Sequence, residues 1–196
     1  MYGRAMRLLL LARHGQSLLN VDKVVNGDPV LDRGLSPLGI DEARRLHGQI
    51  AGVSIDLCVI SEFSRAQETA RLALVGRDDI PFEVDSDLND VRIGELEGRT
   101  LDEYRAWKKA HDDGDAFPGG ESLDDAAHRY GAAYERLLQR DEDGILCVCH
   151  EIPVRYAINA ADGSADLDWP IHAIANATPY VFDAAGLERA ARRLVK

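Results

Sequence analysis

Disulfide-forming capacity is the first thing this chain lacks. Three cysteines occur in 196 residues, two of them as Cys147-Val148-Cys149, which gives no disulfide framework and fits a reducing compartment. The apolar stretch Leu8 to Ala12 is too short for the core of a secretory signal, although Arg4 and Arg7 precede it. No segment approaches the length of a membrane span, and the expected location is cytoplasmic. Positive charge is in the minority, with 23 Lys and Arg against 34 Asp and Glu, a formal net charge of −11. That imbalance argues against nucleic acid or an anionic membrane as partner. It also means that an anionic substrate must be drawn in by a local positive pocket. Neither His-Glu-x-x-His nor Cys-x-x-Cys occurs, so no metal site is expected. Internal repeats and low-complexity segments are absent as well.

What is present is organised around Arg7 to Asn20, RLLLLARHGQSLLN. Four leucines and an alanine form an unbroken apolar run, the pattern of a strand covered on both faces in a parallel sheet. The run stops at Arg13-His14-Gly15, which places a cation, a titratable nucleophile and a permissive backbone position at the strand's carboxyl end. Ligands bind at that end in open α/β sheets. The length suits one domain over residues 1–196 with a sizeable core.

Further along, Gln16 to Leu35 reads as a long connection lining a site. Ser36 and Pro37 open a helix that Gly52 ends. Asp56 to Ile60 is a short buried strand. Ser64 and Gln67 form a capping-box pattern, so Arg65 is expected at a helix N-terminus that favours an anion. Pro81 to Val84 reads as a strand, and Asp85 to Gly98 as irregular. Two amphipathic helices, opened by Thr100 and Ser122, lie between residues 100 and 140 and are expected to form a small helical lid over the sheet's carboxyl end. Ile145 to Cys149 is another buried strand, and it too ends on a histidine, His150. A helix over Ile152–Ala160 and a strand over Ala177–Phe182 follow, and the tail from Gly186 is ambiguous between helix and strand.

If both apolar strands share one parallel sheet, His14 and His150 reach the same crevice, with Arg13 and Arg65 supplying fixed positive charge. A neutral imidazole can attack phosphorus, and guanidinium groups match the equatorial oxygens of a phosphoryl group. A second histidine, protonated by anionic surroundings, can hold another oxygen. Such electrostatic preorganisation calls for no metal and no cofactor. Departure of the leaving group needs a proton, and Asp90, Glu95, Glu97 and Glu151 are the candidate donors. His47, His111, His128 and His172 lack ligand spacing and are expected in surface or structural roles. Tyr104 and Trp107 are expected in the core of the lid.

These residues resemble the histidine phosphatase superfamily, also called phosphoglycerate mutase-like. The signature is Arg13-His14-Gly15 after an apolar strand, with Asn20 beyond it. Supporting it in order are Leu35-Ser36-x-x-Gly39, Ser61 with Arg65-Ala66-x-x-Thr69-Ala70, Gly94-x-x-Glu97-Gly98, Gly119-Gly120-Glu121-Ser122 and His150. The resemblance implies a three-layer α/β/α sandwich with a mostly parallel sheet. It implies His14 as phosphohistidine nucleophile, Arg13 and Arg65 as phosphate-binding arginines, His150 as the second pocket histidine, and Gly15 and Asn20 beside the phosphate. Asp90, after Leu88 and before Gly94, matches the proton donor.

Two positions depart from the family pattern. Asp90 is one methylene shorter than the usual glutamate. Glu151-Ile152-Pro153 follows His150 where the family commonly has two glycines, so Glu151 either turns outward, at the rim of the substrate site, or shares the acid role. The expected activity is hydrolysis of a small phosphate ester through a phosphohistidine. The alternatives are a phosphomutase, for which the family's greater length argues against this chain, and a weakened phospho-ligand-binding protein. Specificity is expected from Gln16–Leu35 and Thr100–Gln139. Oligomeric state is not legible.

Overall fold

In a computed structural model of the chain, which describes residues 6–196, the leucine run becomes strand β1, Leu8–Arg13. Arg4, one of the two arginines weighed against a signal sequence, lies outside the described residues. β1 pairs in parallel with β4 (Gly144–Cys149), which pairs in parallel with β2 (Leu57–Ile60), and β2 with β3 (Phe82–Val84). β5 (Pro179–Phe182) closes the other edge antiparallel to β1, giving the order β3-β2-β4-β1-β5. The side-chain alternation of β1 divides the core in two. Leu9 and Leu11 pack on one face, while Leu10 and Ala12 pack on the other. Each fully buried leucine contributes about 1.5–3 kcal/mol by leaving water.

Helices α2 (Pro37–Ile50) and α3 (Ser64–Ala73) cover the Leu10 face; α5 (Leu123–Leu138), α6 (Glu151–Ala161) and α7 (Ala184–Leu194) cover the Leu9 face. This is the expected three-layer arrangement. The ambiguous tail is helical: Asp183 caps it on the Gly186 N–H at 2.7 Å, and Leu187, Ala190, Ala191 and Leu194 are buried at helical spacing.

Three local expectations change. The Gln16–Leu35 connection is not structureless, because Ser17 and Asn20 form a capping box that starts α1, Leu18–Asp22. Ser64 is the first residue of α3 rather than its cap, and its hydroxyl donates to Asp32 Oδ2 at 2.7 Å. The lid narrows to one helix. α4 (Leu101–Ala110) has no buried residue and lines, with His14, a pocket beyond the end of β1, whereas α5 buries Tyr130, Ala133, Tyr134 and Leu137 against the sheet and α7. Amphipathicity marks a helix as half-buried but does not say against what. Tyr104 and Trp107 of α4 pack on Phe117, with centroids 5.5 and 4.1 Å apart. Among the described residues no helix is long and apolar enough to cross a membrane.

Candidate active site

Because β1 and β4 are adjacent and parallel, with Arg13 opposite Cys149, their two terminal histidines emerge side by side. The His14 N–H donates to the Cys149 carbonyl at 2.9 Å, and the ring centroids of His14 and His150 are 5.3 Å apart. His14 is nearly buried, yet it lines a cavity of about 280 Å³ together with Arg13, Asn20, Arg65, Asp90 and Glu151.

The hydrogen bonds of His14 fix its tautomer. A carbonyl only accepts, so Nδ1 carries the proton it donates to Gly15 O at 2.6 Å. A guanidinium only donates, so Nε2 presents its lone pair to Arg65 Nε at 3.1 Å. Burial holds the pKa of His14 well below that of a free imidazole, and the charges of Arg65 and Arg13 lower it further. Gly15 is needed for space and not for backbone freedom, since a Cβ there would lie 2.4 Å from the Gly39 carbonyl oxygen.

His150 is arranged in the opposite sense. Its Nδ1 accepts from Arg65 Nη2 at 3.2 Å, leaving Nε2 to donate to Ser61 Oγ at 2.9 Å. The Phe63 ring packs against it at 4.5 Å. Burial, with Arg65 and His14 adding to it, lowers its pKa well below the ordinary value, so the expected protonation of this ring is corrected. An Nδ1 that accepts from a guanidinium is unprotonated, which makes this ring neutral even with Asp90 Oδ2 3.7 Å away.

Arg65 is the centre of the cluster. Its Nη1 pairs with Asp32 Oδ1 at 3.0 Å and donates to Asn26 Oδ1 at 2.6 Å. The Arg65 backbone N–H gives 2.7 Å to Asp32 Oδ2. The anion expected at the N-terminus of α3 is therefore supplied by the chain itself. Burial raises the Asp32 pKa, but the Arg65 charge and the hydrogen bonds from Arg65 and Ser64 outweigh it and leave it lowered.

Arg13 gives Nη1 to the Ile174 carbonyl at 2.9 Å and to Glu151 Oε2 at 2.7 Å; its Nε is buried without a partner. Glu151 also pairs with Arg155 Nη1 at 3.0 Å. It thus turns neither fully outward nor toward His14 but along the rim, between two arginines. Asn20 lines the pocket while its side-chain oxygen closes the α1 capping box.

Among the four carboxyl candidates, Asp90 stands nearest the histidines. Its Oδ2 is 3.7 Å from both Arg65 Nη2 and His150 Nδ1. Burial raises its pKa, although Arg65 pulls the other way. Glu97 instead holds the Asn26-Gly27 backbone through the Gly27 N–H at 2.5 Å, and neither it nor Glu95 lines the pocket. The loop bearing Asp90 is held by Arg129 of α5, which donates to the carbonyls of Asp87, Asn89 and Asp90 at 2.8, 3.0 and 3.3 Å. Buried Glu121 grips Arg129 in turn at 2.5 Å. Asp32, Asn26, Phe63 and Arg129 are site-building residues that sequence reasoning missed, and none carries a local signal that would have found it. His172 lies on the pocket rim, where its carbonyl accepts from Arg155 at 3.0 Å.

The comparisons with known proteins agree with this geometry. Residues 9–195 match the model of the Histidine phosphatase superfamily (branch 1). A curated 2,3-bisphosphoglycerate-dependent phosphoglycerate mutase of Methylobacterium sp. (strain 4-46) is 35% identical over 173 residues, 80% of this chain and 81% of that one. The adenosylcobalamin/alpha-ribazole phosphatase of Escherichia coli (strain K12) is 34% identical over 156 residues, 74% of each chain. The crystal structure of the alpha-ribazole phosphatase from Shigella flexneri superimposes with a TM-score of 0.78 at 29% identity, covering 90% of both chains. The mutase relative is thus similar in length to this chain, and length does not separate the two activities. By fold, family match and sequence relatives alike, this chain belongs to the histidine phosphatase superfamily.

Proposed function

We propose that the protein is a metal-independent phosphomonoester hydrolase that works through a phosphohistidine at His14. The observation that carries this reading is the hydrogen bonding of His14, which directs an unprotonated Nε2 toward Arg65. In the proposed reaction Nε2 attacks phosphorus, the P–O bond to the leaving alcohol breaks, and Asp90 gives that oxygen its proton. Water then loses a proton to the Asp90 carboxylate and attacks phosphorus. The P–N bond breaks and inorganic phosphate departs. Arg13, Arg65 and a His150 that takes up a proton once a phosphate dianion lies beside it hold the equatorial oxygens. Asn20 completes the wall, Gly15 lets the turn bearing His14 close on Gly39, and Glu151 orients Arg13. The shorter Asp90 is compatible with the acid role because its carboxylate approaches His150 and Arg65 equally.

The substrate is a small phosphate ester, in keeping with the phosphatase-named relatives. A phosphomutase is the second reading, favoured by the mutase-named relatives. The net charge of −11 disfavours nucleic acid and anionic membrane as partners. The three free, buried cysteines fit a reducing, cytoplasmic setting.

The test is turnover of p-nitrophenyl phosphate, with and without a chelator, by wild type and His14→Ala. Wild type should release phosphate in both conditions and form an acid-labile phosphoprotein that the variant cannot form. With 3-phosphoglycerate, isomer without free phosphate would replace the hydrolase reading by the mutase. Binding of phosphate without turnover would leave a ligand-binding protein. With benzyl phosphate, whose alcohol leaves only when protonated, retention of rate by Glu151→Gln alongside its loss in Asp90→Asn would assign the acid to Asp90 alone.

A further inference from the structure

A site for two anionic groups needs cations beyond those gripping the first phosphate, and those cations must be free to pair. The pocket does contain further cations, but the residues around it have largely spent them. Glu151 takes Arg13 Nη1 at 2.7 Å and Arg155 Nη1 at 3.0 Å. Asp168 takes Arg155 Nη2 at 2.8 Å and Lys108 Nζ at 2.8 Å. The one Arg155 nitrogen without a partner, Nε, is buried. Two carboxylates thereby neutralise Arg155 and Lys108, the rim cations beyond Arg13, which leaves Arg105 and Lys23, the latter exposed at the end of α1. Arg105 is 67% exposed and 3.6 Å from Asp102, a solvated charge whose attraction is screened. The same pocket is lined by Leu19, Val24, Val25, Leu101 and Tyr104, an apolar surface of no use to a small polyanion.

We propose that the pocket selects phosphomonoesters whose leaving group is uncharged and partly apolar, with Glu151 and Asp168 as the specificity residues that exclude a second anionic group. The inference rests on the reading of the His14 pocket as a phosphomonoester site. Exclusion acts in two ways: Glu151 and Asp168 keep the rim cations paired, and Glu151, which lines the pocket, repels an incoming carboxylate or phosphate.

The experiment compares kcat/KM for benzyl phosphate and 3-phosphoglycerate, two esters of alkyl alcohols that differ in the charge and polarity of the leaving group. Wild type is expected to favour benzyl phosphate by at least about tenfold, and Glu151→Gln to shift the ratio about tenfold toward 3-phosphoglycerate. Asp168→Asn, which frees Arg155 and Lys108 without touching Arg13, should shift it the same way and serves if Glu151→Gln folds poorly. A wild type that prefers 3-phosphoglycerate, or a ratio unmoved by both substitutions, overturns the selectivity. Failure to hydrolyse p-nitrophenyl phosphate as well as both esters would instead overturn the phosphatase reading beneath it.

Discussion

Asp32 and Arg65 form an ion pair of 3.0 Å with both side chains almost wholly out of water. Such a pair is costly to break from one side, because the partner remains as a buried, uncompensated charge. Asp32→Asn should therefore lower unfolding free energy by about 3–5 kcal/mol in urea titrations. It should also raise KM for any phosphate ester, since the Arg65 guanidinium loses its anchor. Because the Asp32 pKa is lowered on folding, its contribution is complete above the unfolded value of about 4 and is lost as pH falls through the folded value.

The two site histidines act in the same direction but in a higher pH window. Both have folded pKa values below the unfolded value of about 6.5, so below that pH the unfolded chain takes up protons that the folded chain refuses. Stability should decline as pH falls from about 6.5 toward the folded values, by up to about 1.4 kcal/mol per pH unit for each ring. Urea titrations at several pH values should show a shallower decline in His14→Gln than in wild type. Equal slopes would mean that His14 titrates normally.

Arg129 does not itself line the pocket around His14, yet it holds three carbonyls of the loop that ends on Asp90. Its proposed role is to position the acid. Arg129→Met should slow benzyl phosphate hydrolysis by about tenfold or more, because the alcohol leaves only when protonated. Turnover of p-nitrophenyl phosphate, whose leaving group needs no proton, should change little. A general loss of structure would slow both substrates alike.

Close approach of two backbones, at Gly15 and Gly39, locks the turn after β1 onto α2. A Cβ at Gly15 would sit 2.4 Å from the Gly39 oxygen, and one at Gly39 would sit 2.0 Å from the Gln16 oxygen. Gly15→Ala should cost about 1–3 kcal/mol in thermal or urea unfolding and displace His14 enough to reduce kcat. Unchanged stability would show that α2 yields easily.

What could be read in advance followed from periodicity. Leu8–Ala12 and Ile145–Cys149 are apolar without interruption, as buried strands are, and once the two pair in parallel the histidines that follow them lie side by side. The helix caps Ser36, Thr100 and Ser122 were legible for the same local reason. Asp32 was not, because its partner lies 33 positions away and its surroundings, Asn26 to Leu35, have no period at all. Ser64 misled for a related reason: its sequence context is that of a cap, and a tertiary contact to Asp32 claimed the hydroxyl. The lowered pKa of His150 was not legible either, since the arginines that contribute to it come from separate segments.

The pairing of Arg13 with Cys149 has a consequence for how the pocket keeps its dimensions. Neighbouring strands are held about 4.8 Å apart by their ladder, and the two imidazoles inherit that spacing directly. A slip of one residue between β1 and β4 would turn one ring to the opposite side of the sheet. The distance between the two imidazoles is thus a property of the central ladder, whereas Arg65 and Asp90 reach them from elements outside it.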